Sequence, residues 1–428
     1  MKRASLLAFV AAGLIACGKT PATESSSGHG SSKQPSTGES WVRLLGDLNP
    51  QGANAVALDD AGNVFAAGYA CGRRVGLKYA DGSIDFGGGA RSTVGECDLF
   101  VAKYAASGGL GWSYLEGEDG LMTRAHAIAL LASAHVLVAG SRGREMLLDE
   151  LGADGKLVAS HRFRDPTGGD GYAIANAVVV AADGDWIVAG EGFKRIDLGT
   201  GPLEHVGTVP FVARYGPDGK ARWVRYANVV STYVGKASAV AIAHNTIYTC
   251  GTTDGPRGDG TGAGAFVQAL DGTTGEPQWT KMGVGDCDAL AIVGDGIVSN
   301  VSIGDDATLT ALSRDGAMRW KLASTPDGLS IHSLAVDDGV LLAVGRQHGN
   351  EEVRLLELDA KGAVVKSKIY RGKLAPRGIA SASHVVVLGG QLVGRVDLGV
   401  AGSVETATAP IEDSTNSDAV VARLTAPW

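Results

Sequence analysis

The sequence predicts an all-β protein and, within that class, a seven-bladed β-propeller. Two observations carry the prediction: a phrase of alternating small and apolar residues recurs seven times, and a second phrase follows each copy. A third is the glycine content, 63 of 428 residues, which is about twice the usual share of roughly 7% and fits many tight turns. Because each pair of phrases supplies four short strands, the copies describe seven four-stranded blades.

The first phrase predicts strands a and b of each blade, joined by a tight turn. Its first copy reads NAVALDDAGNVFAAG, in which DDAGN is the turn. The copies span residues 54–68, 126–140, 176–190, 238–251, 288–300, 332–345 and 377–390.

The second phrase predicts strand c and the start of strand d, and most copies end on the Trp that begins strand d. Ala159 and Lys366 replace this Trp in two copies. The copies span residues 98–112, 145–158, 210–223, 265–279, 307–320, 353–365 and 418–428. A β-sandwich array is the main alternative to a propeller.

The two ends of the globular region predict how the ring closes. The last copy stops at Trp428, where its strand d should begin, whereas WVRLLG at 41–46 reads as a strand d without preceding strands a to c. We therefore expect Trp41–Leu45 to complete the last blade, which removes an exposed sheet edge.

The N-terminal 40 residues differ from the rest of the chain. Residues 1–16 combine a basic start with a short apolar run, as a signal peptide does. The sequence LIAC at 14–17 resembles the lipobox of bacterial lipoproteins, which implies cleavage before Cys17 and lipid attachment to it; Gly18 then favours the outer membrane of a Gram-negative cell. Residues 17–40 are rich in Gly, Ser, Thr and Pro and predict a disordered tether. The alternative is an ordinary secretory signal with an incidental cysteine.

The repeats at 41–428 resemble a known family. VALDDAGNVFAAGYA, SIDFGGGA and DLFVAKYAASGGLGW look like the bacterial seven-bladed propeller repeats called SBBP, and this resemblance implies an extracytoplasmic propeller with no catalytic residues to carry over. A single stretch, ALDGTTGEPQW at 269–279, is similar to the repeat of quinone-cofactor dehydrogenase propellers and of an outer-membrane-assembly lipoprotein.

Composition and motifs narrow the possible functions. The net charge is −8 with no basic tract, which argues against nucleic acid as a partner. The sequence has no GxSxG, HExxH or phosphate-binding loop and no CxxC spacing, so we expect neither cofactor nor metal. We expect a monomeric, lipid-anchored binding or scaffolding module with an envelope protein or a glycan as partner. The alternative is a propeller enzyme, quinone-dependent or sugar-cleaving, with its site at the top of the central channel.

Four cysteines besides Cys17 suggest disulfides in an exported chain. In a propeller the b–c and d–a loops share the top face, which favours the pairs Cys71–Cys97 and Cys250–Cys287. Four free buried thiols are the alternative.

Seven polar residues begin the predicted strands a, which line the channel of a propeller. They either hydrogen-bond neighbouring blades and channel waters or form a small-ligand or ion site at the channel mouth. These residues are Asn54, His126, Asn176, Ser238, Asp288, His332 and Arg377.

Long b–c insertions in blades one, three and seven predict a second binding region, because recognition usually resides on loops of a rigid scaffold. The insertions of blades one and seven should rise side by side from the top face. The blade-one insertion has a local basic excess, for which we expect an acidic or carbohydrate-rich partner; the alternative is that the insertions only shield the edges of the blades. Its binding residues are Arg73, Arg74, Lys78, Tyr79 and Arg91. In blade four, DGPRGDGTG at 254–262 is either a calcium loop or a solvated turn.

Overall fold

The computed structural model describes residues 39–46, 49–72, 82–203, 207–226, 235–253, 264–303, 307–323, 328–347, 351–406, 417–425 and 427–428. The expected signal peptide (1–16), Cys17 and nearly all of the tether lie outside these residues. In the described part of the chain the regular elements are strands and two 3-10 turns, Ala132–Ala134 and Gly399–Ala401, so the all-β class is confirmed. No helix in this part has the length and apolar character needed to span a bilayer.

The first half of the chain forms β1 and three sheets. β1 is Trp41–Leu45. Sheet 1 and its insertion contain β2 (Gln51–Leu58), β3 (Val64–Cys71), β4 (Ser83–Asp85), β5 (Ala90–Ser92), β6 (Cys97–Tyr104) and β7 (Leu110–Glu116). Sheet 2 contains β8 (Thr123–Leu130), β9 (Val136–Arg142), β10 (Glu145–Leu151) and β11 (Leu157–Phe163). Sheet 3 and its insertion contain β12 (Tyr172–Val180), β13 (Trp186–Phe193), β14 (Ile196–Asp197), β15 (Pro202–Leu203), β16 (Thr208–Tyr215) and β17 (Ala221–Tyr226).

The second half forms two four-stranded sheets and one larger sheet. Sheet 4 contains β18 (Gly235–Ala243), β19 (Thr246–Thr253), β20 (Gly264–Asp271) and β21 (Pro277–Val284). Sheet 5 contains β22 (Leu290–Val293), β23 (Gly296–Ser299), β24 (Ala307–Ser313) and β25 (Met318–Ala323). The larger sheet contains β26 (Leu329–Asp337), β27 (Val340–Gln347), β28 (Glu352–Leu358), β29 (Val364–Ala382), β30 (Val385–Asp397), β31 (Ser403–Glu405) and β32 (Asp418–Thr425), together with β1.

The larger sheet consists of two four-stranded groups that share the long strand β29. Residues 364–371 of β29 pair with β28, and residues 371–382 pair with β30. We call β26, β27, β28 and the first part of β29 sheet 6, and we call the second part of β29 with β30, β32 and β1 sheet 7. In sheets 1 to 6 the strand order follows the chain, and all of these pairings are antiparallel.

Sheet 7 is completed by the N-terminal strand. β1 pairs antiparallel with β32, with Trp41 opposite Arg423 and Leu45 opposite Ala419. On its inner side, sheet 7 lies so close to sheet 1 that a Cβ atom at Gly378 would be 3.3 Å from the Cα atom of Ala55. The first and last sheets therefore pack directly against each other.

A repeated tryptophan contact joins one sheet to the next. The indole Nε1 of the strand-d Trp donates a hydrogen bond to a carbonyl oxygen in the c–d turn of the following sheet. The pairs are Trp41 to Ala106 (3.1 Å), Trp112 to Ala153 (2.9 Å), Trp223 to Gly272 (3.3 Å), Trp279 to Arg314 (2.7 Å) and Trp320 to Ala360 (3.0 Å). Trp41 in sheet 7 thus contacts sheet 1 as Trp112 in sheet 1 contacts sheet 2.

Two sheets make this contact with other residues. In sheet 2, whose expected position is Ala159, the ring of His161 lies over Gly219 in the next sheet and 5.8 Å from the ring of Trp186. In sheet 6, the Lys366 ammonium lies 5.5 Å from the ring centre of Trp428. Trp428 lies after β32 and is not part of a strand. The position of strand d in sheet 7 is occupied by β1, which pairs with β32.

The strand boundaries correct the expected ones in two respects. Strand d begins two residues before its Trp in sheet 1, where β7 starts at Leu110 and not at Trp112. Strand a begins earlier too, since β2 starts at Gln51 and not at Asn54. Both extensions arise because ladder pairing continues past the apolar phrase from which the boundary was predicted.

The described insertions of sheets 1 and 3 share one turn. The side chain of an Asp accepts backbone N–H bonds from glycines two and four residues later, as in an Asx turn. Asp85 accepts from Gly87 and Gly89 at 2.7 and 2.9 Å, and Asp197 makes the equivalent pair at 2.8 and 3.1 Å. Ile84 and Phe86 beside this turn are buried, so this part of the insertion packs onto the sheet.

Candidate functional site

Six innermost strands carry a β-bulge at the residue predicted to face the channel mouth. In β2, for example, Ala53 pairs with Gly68 and Ala55 pairs with Ala67, so Asn54 is the extra residue. A bulge leaves its extra residue outside the ladder and turns that side chain in a new direction. The bulged residues are Asn54, His126, Asn176, Ser238, His332 and Arg377.

The described part of sheet 5 has no such bulge in its innermost strand, and its channel-mouth residue Asp288 is left outside the ladder in another way. Asp288 lies just before β22, outside the ladder. The side-chain oxygen of Asn300 accepts hydrogen bonds from the backbone nitrogens of Asp288 and Ala289, both at 3.1 Å. This amide fixes the segment that carries Asp288, as the bulge does in the other sheets.

The seven predicted channel-mouth residues line one cavity of about 310 Å³. Such a volume lies at the lower end of the range for small-molecule sites. Five further residues line it: Tyr69, Arg124, Lys236, Pro376 and Gln391. The sequence offered a signal for two of these, since Arg124 and Lys236 lie two positions before His126 and Ser238 on the same strands.

The two asparagines among the seven donate hydrogen bonds to the backbone of the neighbouring sheet. The Asn54 amide nitrogen donates to the carbonyl oxygen of Ala125 at 2.8 Å, and Asn176 donates to Ala237 at 3.1 Å. In sheet 5 the amide of Asn300 makes the corresponding bond to Ile331 at 3.0 Å. Both asparagines therefore make the hydrogen bonds to a neighbouring sheet that were expected from the sequence.

Charged side chains in the cavity are predominantly cationic. Among the described lining residues, Arg124, Lys236 and Arg377 face a single carboxylate, Asp288. Lys236 Nζ lies 3.6 Å from the Asp288 Oδ1 atom, so this carboxylate is already paired. On a chain of net charge −8, the local excess of positive charge favours an anionic ligand.

A network of polar contacts holds two of the cations in place. The Arg124 guanidinium carbon lies 4.6 Å from the ring centre of Tyr69. Arg377 donates two hydrogen bonds to the side-chain oxygen of Gln391, at 3.3 and 3.0 Å, and the Gln391 amide donates to the Tyr69 hydroxyl. The guanidinium groups are therefore oriented before any ligand arrives.

Burial determines the protonation and hydrogen bonding of the other polar groups in and near the cavity. Burial, reinforced by the charge of Arg124, lowers the pKa of His126 to about 4, so this imidazole is neutral at pH 7. Its Nε2 atom lies 3.2 Å from the Ser141 hydroxyl. The buried Ser238 hydroxyl oxygen has no hydrogen-bond partner among the described residues. Near the cavity, burial raises the pKa of Glu191, an effect that Lys236 opposes.

Of the five predicted binding residues in the blade-one loop, the structure describes one, Arg91. Arg73, Arg74, Lys78 and Tyr79 lie outside the described residues, as does the 254–262 segment. Arg91 is part of β5, and its Nη1 atom donates to the carbonyl and hydroxyl oxygens of Ser113 at 3.1 and 3.2 Å. Arg91 therefore lies against β7, and partner binding at this loop stays a prediction.

The four predicted disulfide cysteines lie in two bonded pairs. Cys71 is directly opposite Cys97 in the β3–β6 ladder, and the two are bonded. Cys250 of β19 is bonded to Cys287, which precedes β22. The expected pairing is thus confirmed.

The described residues contain no group of three or more His, Cys, Asp and Glu side chains that could hold a metal ion. Two-carboxylate hydrolysis of sugars would require a second acid beside Asp288, and no other carboxylate lines this cavity in the described part of the chain. The cavity can thus bind through charge and hydrogen bonds.

Comparisons with known proteins identify the fold. No family model matches the chain, and no curated protein matches it in sequence. The chain is similar to the β-propeller domain of Cps50 (Swd1) from Myceliophteria thermophila, with 13% identity and a TM-score of 0.50 over 79% of this chain and 94% of that one. It is also similar to quinohemoprotein alcohol dehydrogenase from Comamonas testosteroni, with 13% identity and a TM-score of 0.51 over 90% and 76%.

Identity at this level shows the fold alone. The protein is an all-β protein with a propeller fold, as the repeats predicted. One neighbour is named only as a β-propeller domain and the other as a dehydrogenase, so their names do not select a function for this chain. Membership of the SBBP family stays a prediction from the quoted repeats.

Proposed function

We propose that this protein is a lipid-anchored, extracytoplasmic binding propeller whose channel mouth takes a small polar ligand with an anionic group. The observation that carries the proposal is the 310 Å³ cavity on which the bulged side chains of successive sheets converge. Three cationic side chains and one paired carboxylate give it a preference for anions. Carboxylate and phosphate groups are the usual partners of such guanidinium and ammonium groups.

We infer that the ring has seven blades, formed by sheets 1 to 7, and that β1 closes it. The β1–β32 ladder and the bond from Trp41 to Ala106 support this closure. Cys17 and the tether at 17–40 would attach the ring to a membrane, which we propose is the outer membrane of a Gram-negative cell. The LIAC sequence supports this attachment. In this arrangement the protein acts as a monomer with an envelope protein, a glycan or a small molecule as partner.

An enzymatic role has less support. A sugar-cleaving enzyme would normally use two carboxylates, and the cavity offers Asp288 paired with Lys236. The similarity to a quinohemoprotein dehydrogenase is 13% in sequence and carries no cofactor chemistry to this chain. Binding without turnover is therefore the function that the cavity supports best.

Calorimetry with defined anions tests the proposal. The probes are succinate, citrate, inorganic phosphate and glucuronate, with glucose as the neutral counterpart. We expect at least one anion to bind more tightly than glucose. The double variant Lys236→Met and Arg377→Met should weaken that binding about tenfold or more, because each charge-assisted hydrogen bond is worth roughly 1.5–3 kcal/mol.

Arg319→Ala is the matched control, since Arg319 is an exposed arginine of β25 that does not line the cavity. It should leave the affinity unchanged. Equal affinity of glucose and every anion, or a double variant that binds like the parent, would contradict the proposal. Conversion of any probe by the folded protein would instead support the enzymatic alternative.

A further inference from the structure

A second and larger cavity lies on sheet 2; all of its lining residues are described, and none of them lines the channel-mouth cavity. Its volume is about 660 Å³. Four of its eight lining residues are arginines: Arg142, Arg144, Arg162 and Arg164. We call this cavity the arginine groove.

The groove exists because sheet 2 lacks the insertion that its neighbours carry. Between β9 and β10 the chain makes a tight turn at Gly143, where the positive φ of +57° favours glycine. The insertion of sheet 1 reaches one end of the groove, where the Glu96 nitrogen donates to the Leu121 carbonyl at 2.9 Å. The insertion of sheet 3 reaches the other, where the Asp197 nitrogen donates to the Arg164 carbonyl at 3.2 Å.

The arginines are only partly neutralised. Two carboxylates line the groove: Glu118 is paired with Arg142, and Glu145 lies 3.5 Å from Arg164. Arg144 forms no ion pair with any described residue within 4.0 Å. Arg162 is paired with Asp149 and Glu116 beneath the groove, so the cation most open to a ligand is Arg144, with the exposed Arg164 beside its partner Glu145.

One arginine is fixed from below and two project outward. Arg162 donates to Asp149 at 2.5 Å and to Glu116 at 2.9 Å, and the Asp149 side chain is fully buried. The side chain of Arg164 is 72% exposed, and Arg144 is exposed as well. Because Arg162 is already held by two carboxylates, the exposed Arg144 and Arg164 are the cations that a ligand with several negative charges can reach.

We propose that the arginine groove binds an acidic oligosaccharide through its carboxylate or sulfate groups. Guanidinium forks bind such planar or tetrahedral anions in a bidentate manner. Leu121 is the single large apolar residue among those that line the groove, which leaves little surface for the side chains of a peptide. A hydrated, polyanionic sugar chain matches this lining better, and the groove has room for more than one sugar unit.

Titration of the full chain with three oligosaccharides of equal length tests this proposal. Oligogalacturonate carries carboxylates, a heparin-derived oligosaccharide carries sulfates, and maltohexaose is neutral. We expect at least one of the acidic probes to bind and maltohexaose not to bind. The affinity should fall at least severalfold between 50 and 300 mM salt by an order-of-magnitude estimate, because exposed charges are screened.

Two variants with opposite expected effects localise the binding. The double variant Arg144→Ala and Arg164→Ala removes the two exposed cations and should weaken binding about tenfold or more. Glu118→Gln removes the carboxylate that competes for Arg142 and should strengthen binding severalfold. Both variants change exposed side chains, so their melting curves should match the parent, and Arg319→Ala is the control for arginine loss elsewhere.

The proposal is wrong if neither acidic oligosaccharide binds, or if the double variant binds as tightly as Arg319→Ala. Poly-glutamate that binds more tightly than both sugars, with the same sensitivity to the double variant, would assign the groove to an acidic peptide and also overturn the proposal. The channel-mouth double variant should keep its oligosaccharide affinity, which separates the two sites.

Discussion

Replacing Trp41 tests whether β1 closes the propeller. The Trp41 side chain is only 7% exposed, its indole donates to Ala106 in sheet 1, and its ring centre lies 5.6 Å from that of Tyr104. A Trp41→Ala change removes this packing and the hydrogen bond, and truncation of a buried Trp usually costs about 3–5 kcal/mol. Trp41→Phe keeps most of the ring and loses the hydrogen bond, which should cost about 1 kcal/mol.

The assay is urea unfolding followed by circular dichroism, with Trp320→Ala as the matched variant. Trp320 makes the same kind of contact between sheets 5 and 6, with 3.0 Å from its indole nitrogen to the Ala360 carbonyl oxygen. If β1 closes the ring, Trp41→Ala should destabilise the protein at least as much as Trp320→Ala. A loss below about 0.5 kcal/mol for Trp41→Ala, with a large loss for Trp320→Ala, would refute closure by β1.

Three further predictions concern pH, disulfides and the anchor. Because the pKa of His126 is about 4 in the folded protein against 6.5 for an unperturbed His, protonation of His126 favours unfolding. The free energy of unfolding should therefore fall by up to about 3 kcal/mol as the pH drops from 6.5 to 4. His126→Gln should remove most of this loss, as measured by urea titrations at stepped pH. Non-reducing peptide mapping should find Cys71–Cys97 and Cys250–Cys287, and loss of either bridge should cost about 3 kcal/mol; four free thiols in exported protein would contradict this. In a Gram-negative host, wild-type protein should fractionate with membranes and Cys17→Ala with the soluble periplasm, whereas equal release of both would exclude the anchor.

Much of the fold could be predicted because the same pattern of small, apolar and turn residues recurs seven times along the chain. Alternating small and apolar residues specify strands that are buried on both faces, and a turn such as DDAGN fixes where strand a meets strand b. Trp41 without a preceding strand a indicated that β1 belongs to the last sheet, and β1 does pair with β32. The expected strand boundaries were less accurate because backbone pairing does not stop where the apolar pattern stops.

Contacts between sheets were harder to predict because unlike residues make them. His161 reaches Gly219 from a position two residues after Ala159, which is where the repeat places its Trp. Lys366 makes its contact with Trp428 through a cation and a ring. A search for a recurring Trp at each repeat finds neither His161 nor Lys366, because the contact between sheets depends on packing and polar interactions and not on one residue type.

The arginine groove could not be predicted because its four arginines come from two separate segments. Arg142 and Arg144 flank the β9–β10 turn, whereas Arg162 and Arg164 lie at the end of β11 and just beyond it. In sequence each pair looks like an ordinary set of strand-end charges. Sheet pairing brings the pairs together, and the insertions of sheets 1 and 3 enclose them.

The bulges explain why the fold leaves function open. Inner strands are packed closely against their neighbours, and small residues such as Ala55 and Gly378 meet where two sheets touch. In six of the seven sheets a bulge interrupts the ladder and adds a polar position that lines the channel-mouth cavity. Because the backbone does not dictate which side chain stands there, one sheet can present Arg377 and another Asn176. The propeller fold positions these residues without selecting them, and a neighbour with the same fold at 13% identity is named as a dehydrogenase, so the fold alone does not define a function for this chain.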